Sequence, residues 1–221
     1  MSKLKNKTAF VTGGSRGIGA GIVRQLASEG ANVIFTYVNS EQKAEDLVRE
    51  IEALGVKSMA IKADTGNEED INEAIKKASE WGIDILVNNA GLFVTGEIDN
   101  KESDLPALKL QWEVNVHGVA HTVRNVLPFM KNGGRIISIG STGGTRSPYP
   151  GIGDYAATKA ALAAYTRSWA RDLGARNITV NIIQPGLIDT DMNPSDGPFS
   201  SQMLQSVAWD IMESQKISEW L

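Results

Sequence analysis

One feature constrains this chain more than any other. A short apolar run, Thr8 to Thr12, breaks into Gly13-Gly14-Ser15-Arg16-Gly17-Ile18-Gly19, and the next apolar residues then recur at helical spacing (Ile18, Ile22, Val23, Leu26). A run this short and apolar reads as a buried strand, and the glycines allow an abrupt turn into the helix behind it. A strand buried on both faces needs parallel neighbours covered by helices above and below. The rest of the chain supplies them. Strand-like segments at 32–38, 58–61, 84–88, 135–139 and 179–183 alternate with helix-like segments at 41–54, 67–81, 112–130 and 155–173. Ser40 is placed to cap the helix at 41–54, and Gly55 to close it.

Alternation at this spacing predicts an α/β, doubly wound parallel sheet. No linker, repeat or low-complexity tract interrupts the 221 residues, so a single domain over 1–221 is expected. The formal net charge of -4 speaks against a nucleic-acid partner, and the five tryptophans show no stacking pattern for single strands. The chain has no cysteine, which removes disulfides, thiolate metal sites and a cysteine nucleophile. The basic N-terminus is followed by no long apolar run, so neither a leader nor a membrane span is expected and the cytoplasm is the default location. His117 and His121 are spaced i, i+4, but Gly118 stands where a zinc-protease motif needs Glu. They read as packing or interface residues, and no metal is expected.

A glycine-rich turn alone is equally an ordinary tight turn. At the first strand–helix junction of an alternating chain it favours phosphate binding, because a close-lying backbone and a positive helix N-terminus suit a pyrophosphate. Gly13, Ser15, Arg16, Gly17, Ile18 and Gly19 are the candidates. The end of the second strand, Tyr37-Val38-Asn39-Ser40, lacks the acid that would hold a free ribose 2′-hydroxyl. Arg16 could instead pair with a 2′-phosphate. Tyr37, Asn39 and Ser40 are therefore read as flanking the ribose, and NADP(H) is preferred over NAD(H).

The glycine loop, Asn88-Asn89-Ala90-Gly91, the pair Tyr155 and Lys159 four residues apart, and Pro185-Gly186 stand in the order of the short-chain dehydrogenases/reductases, which the chain resembles over about residues 5 to 200. Tyr155 and Lys159 share one helix face, and a neighbouring ammonium would favour the phenolate. The resemblance implies a Rossmann fold with Tyr155 as general acid/base and Lys159 as its tuner and ribose binder. It also implies Ser141 as the group bonding a substrate carbonyl, with Thr142 and Ser138 as fallbacks, and Asn115 as the residue that keeps a helix kink and a proton relay. By the same resemblance Asp64 meets the adenine, Asn88, Ala90 and Gly91 pack along the cofactor, and Pro185, Gly186, Ile188 and Thr190 border the nicotinamide. Asp189 and Asp191 read as solvated loop charges.

The implied reaction is reduction of a 3-oxoacyl thioester or small ketone to an alcohol, in a homo-oligomer, dimer or tetramer. A subgroup described as cyclic-di-GMP-binding biofilm dispersal mediators is also resembled, through the glycine loop, residues 31–37 and Asp189 to Pro194. Cyclic-di-GMP is therefore a second expected ligand, with Arg16 and Arg146 available for its phosphates. Residues 201–221 do not read as the family's final strand. An atypical shortened C-terminus with a helical tail is expected there, weakening the oligomer.

Overall fold

The computed structural model describes residues 2–196. The expected helical tail at 201–221 lies outside them. Six strands form one sheet among the described residues: β1 (Thr8–Val11), β2 (Asn32–Tyr37), β3 (Ser58–Lys62), β4 (Ile83–Asn88), β5 (Met130–Ile139) and β6 (Thr179–Ile183). Their order is β3-β2-β1-β4-β5-β6, and every neighbouring pair is parallel. The chain steps outward from β1 to β3, then returns to place β4 on the other side of β1. That reversal opens a crevice beyond the carboxyl ends of β1 and β4, where a doubly wound sheet binds ligands.

Alternation along the strands sorts two cores. Phe10, Ile34, Leu86 and Ile136 point to one face, against Ile71 and Ile75 of α3 (Glu68–Ser79) and Val123 and Val126 of α5 (Gly118–Val126). Ala9, Val11, Val33, Phe35, Ile85 and Val87 point to the other, under α1 (Gly17–Ser28) and α2 (Glu41–Glu52). The start of β1 is pinned to β4 by Asp84, which accepts from Lys7 Nζ at 2.8 Å and from the Thr8 amide at 3.1 Å.

Two local expectations are corrected. The single helix expected over 112–130 is in fact three pieces. α4 (Leu105–Trp112) starts earlier, Glu113–His117 forms a π-helical turn, and α5 ends at Val126. The wider turn exists because the Asn115 side chain bonds outside the helix, to both backbone groups of Leu92. Ser40 sits at the start of α2 but makes no capping hydrogen bond. Asn67 does cap α3, accepting from the amides of Glu69 and Asp70. The last α-helix among the described residues, α6, runs Gly153–Asp172.

Candidate active site

The loop between β1 and α1 takes its shape from other strands. Gly13 and Gly17 have φ of 66° and 53°, a region that disfavours side chains. The Gly13 amide donates to Thr36 Oγ1 at 3.0 Å. Asn89 donates through Nδ2 to the carbonyls of Thr12 (3.0 Å) and Gly13 (2.9 Å), while Thr12 Oγ1 accepts from the amides of Asn89 and Ala90 at 3.1 Å each. A Cβ on Gly19 would run into the Gly13 carbonyl oxygen, so the helix can start this close to the strand only with glycine there. Arg16 precedes α1 in extended conformation, and no side chain caps that helix. Its first amides therefore face the cleft free to bind an anion.

This loop is one end of a cleft of about 670 Å³, within the usual range for a small-molecule site. The walls include Ser15, Arg16, Ile18, Tyr37, Asn39, Ser40 and Asp64 at the near end, then Ala90 and Gly91. Ser141, Tyr155, Lys159, Pro185, Gly186 and Ile188 stand at the far end, while Thr190 returns beside Gly17 of the glycine loop. Nearly all the residues expected from the sequence are thus brought together.

Two are not. Asn88 ends β4 with its side chain inside the sheet, donating to Ser138 Oγ at 3.4 Å, because the strand's alternation turns it away from the cleft. The neighbouring Asn89 is the residue that faces it. The same bond removes Ser138 as an alternative to Ser141. Asn115 is fully buried behind the cleft wall. Its Oδ1 accepts from the Leu92 amide at 2.8 Å, and its Nδ2 donates to the Leu92 carbonyl and to Thr158 Oγ1. Its side chain is fully engaged, so it positions the 91–92 segment instead of meeting a ligand.

At the far end, Ser141 follows β5 and opens a short 3₁₀ turn, its Oγ accepting from the Gly143 amide at 3.0 Å. Tyr155 and Lys159 come from the first turns of α6. Phe93 meets the Tyr155 ring edge-on at 4.8 Å between centroids, and the Lys159 ammonium lies 5.7 Å from the centroid of the same ring. Lys159 Nζ donates to the Ile139 carbonyl at 2.9 Å. Burial lowers its pKa to about 8. Burial raises the Tyr155 phenol, and the Ser141 hydroxyl beside it pulls only partly the other way. Desolvation therefore dominates at Tyr155.

Asp191 is not a free loop charge. Its Oδ2 lies 2.9 Å from Lys43 Nζ and 3.8 Å from an Arg16 nitrogen, and both cations hold its carboxyl below the usual range. Asp189 accepts from the amide and hydroxyl of Ser195. Of the histidines, His121 is largely buried and lies 2.9 Å from Asn72 of α3, whereas His117 is exposed and lies 2.9 Å from Glu113 one turn back. No helix among the described residues is long and apolar enough to cross a membrane.

Phe93 and Lys43 carry no sequence signal, and Thr12 and Asn89 stand within motifs that do not single them out. Their positions follow from strand pairings and helix placement that only the fold reveals.

The short chain dehydrogenase family model matches residues 7–199. The chain belongs to the short-chain dehydrogenase family. It is 40% identical to the cyclic-di-GMP-binding biofilm dispersal mediator protein of Escherichia coli, over 92% of this chain and 82% of that protein. It is 41% identical to a 3-oxoacyl-acyl-carrier-protein reductase of Staphylococcus epidermidis, over 91% and 84%. Among solved structures it is similar to a short chain dehydrogenase from Burkholderia cenocepacia in complex with NADP. That match has a TM-score of 0.93 and 43% identity, and covers 97% of this chain and 87% of the other.

Proposed function

We propose that this short-chain dehydrogenase is an NADP(H)-dependent oxidoreductase that reduces a ketone, a 3-oxoacyl thioester or a smaller carbonyl, to an alcohol. One observation carries the reading: the glycine loop and the Ser141, Tyr155 and Lys159 side chains open into the same cleft. The residues fit a dinucleotide. The uncapped start of α1 suits the pyrophosphate, Arg16 suits a 2′-phosphate, and the end of β2, Tyr37-Val38-Asn39-Ser40, carries no acid to favour a bare ribose, the first one, Glu41, accepting from the Tyr37 phenol.

NADPH, when bound, supplies hydride to the substrate carbonyl carbon. Ser141 donates a hydrogen bond to the carbonyl oxygen and so fixes where negative charge develops. Tyr155 delivers the proton to that oxygen. Its raised pKa keeps the phenol protonated at neutral pH, the form a reduction requires. Lys159, held by the Ile139 carbonyl, places a positive charge beside the ring and stabilises the phenolate left behind. Asn115 and Phe93 fix the walls around these groups.

The test is NADPH consumption with an acetoacetyl thioester and several small ketones. Turnover should fall about 10²- to 10⁴-fold in Tyr155→Phe, the range removed with a general acid, while NADPH still binds. Equal turnover in the variant would falsify the assigned proton donor.

A second reading is favoured by the dispersal-mediator relative, whose name states cyclic-di-GMP binding. Arg16 and Arg146 both line the cleft and could hold two phosphates. Titration of cyclic-di-GMP with and without NADPH separates the readings, since a shared site requires the two to compete.

A further inference from the structure

The near end of the cleft holds a three-residue ion cluster that joins elements far apart in sequence. Arg16 comes from the glycine loop, Lys43 from the first turn of α2, and Asp191 from the segment after β6. Both cations converge on one oxygen, Asp191 Oδ2, at 3.8 Å and 2.9 Å. All three side chains are about half exposed, so the pairing is weak and a stronger anion can replace it.

Asp191 also belongs to a braced segment. The backbone groups of Thr190 and Asn193 bond each other in both directions, Asn193 Nδ2 donates to the Ile188 carbonyl, and Asp189 holds Ser195. Leu187, Ile188 and Met192 of this stretch line the cleft. The carboxylate is therefore the point at which the cleft's far wall is tied to its nucleotide end.

We propose that Asp191 is an internal anion standing in for a ribose 2′-phosphate, and that Lys43 is a second specificity residue for that phosphate beside Arg16. The inference rests on the dinucleotide reading of the cleft. A 2′-phosphate carries more charge than a carboxylate and offers three acceptor oxygens, so it takes both cations from Asp191. Two consequences follow together. Discrimination for NADPH over NADH depends on Lys43 as well as Arg16. Arrival of the phosphate unties the segment at 188–195 from α2, so the cofactor's 2′-substituent sets the freedom of a wall that faces the substrate.

The experiment is calorimetric titration of NADPH, NADH and adenosine 2′,5′-bisphosphate against the wild-type protein, Lys43→Ala, Asp191→Asn and the double variant. The bisphosphate lacks a nicotinamide, so its binding reports the phosphate site without turnover. Lys43→Ala should weaken NADPH and the bisphosphate about three- to fivefold, the weight of an exposed ion pair, and leave NADH within about twofold. Asp191→Asn should tighten NADPH and the bisphosphate by a similar factor, most clearly at low salt. In the Lys43→Ala background the Asp191→Asn gain should shrink, because the competitor then has less to occupy. Equal shifts for NADPH and NADH, or an undiminished Asp191→Asn gain in the double variant, would overturn the inference while leaving the oxidoreductase reading intact. If the wild-type protein bound none of the three nucleotides, both would fall.

Discussion

Burial disfavours the charged forms of both Lys159 and Tyr155, and so moves their pKa values in opposite directions. Desolvation brings Lys159 to about 8 and pushes Tyr155 upward. The lysine's free pKa is about 10.4, so between pH of about 8 and 10.4 the unfolded chain binds more protons than the folded one. Stability from this group therefore rises with pH across that window, and below it the cost of burying the ammonium is constant. Lys159→Met should stabilise the ligand-free protein at pH 7 by up to about 3 kcal/mol, the weight of such a shift, less the lost bond to Ile139. The advantage should shrink by pH 10. Urea denaturation of both proteins at the two pH values checks it. A variant less stable at pH 7 would show that the lysine is held by packing and not merely tolerated for its chemistry.

At the scale of elements, two polar side chains hold segments together. Asn115→Ala leaves the Leu92 amide and carbonyl without their partner, a loss of about 1–3 kcal/mol, and should lower turnover more than NADPH affinity. Denaturant melts with steady-state kinetics measure both. Asp84 is depressed in pKa: burial alone would raise it, but the bonds from Lys7 and Thr8 outweigh that. Its contribution is present above the unfolded value of about 3.9 and is lost as pH falls through the folded value. Asp84→Asn should cost about 1 kcal/mol at pH 7, discounted because Lys7 is half exposed, and progressively less as the pH falls below about 3.9. Acid titration of the melting temperature tests that difference.

The same elements show what could be read from the sequence. β2 was legible as a short β-branched and aromatic run buried on both faces, and α2 because its buried residues recur at helical spacing. The glycine loop and the Tyr155–Lys159 pair were legible because their spacing is local. The π-helical turn was not, since it depends on Asn115 reaching Leu92 across a loop. Asn88 and Asn89 could not be separated either, because which of two adjacent residues faces the cleft is set by strand phase. Lys43 and Asp191 lie 148 residues apart, and nothing local couples them.

Over the whole molecule, the cleft draws on every part of the sheet's carboxyl end, so a nucleotide bound there braces the described fold broadly. NADPH at a hundred times its dissociation constant should stabilise the protein by about 2.7 kcal/mol, a rise in melting temperature of roughly 5–10 °C for a chain of this size. A fluorescence melt with and without NADPH measures it, and NADH at equal concentration should give the smaller rise.

The bond from Asn89 to the Gly13 carbonyl spans 76 residues, and this has a consequence for biosynthesis. The glycine loop leaves the ribosome early but cannot take its final form until β4 has followed. At about 5–20 residues per second, the nascent loop waits on the order of 4–15 seconds for its clamp. Nucleotide can therefore assist the maturation of this protein only after the first half of the sheet has emerged, and a translational pause placed far enough beyond Gly91 for Asn89 to have left the ribosome would give it the time to do so.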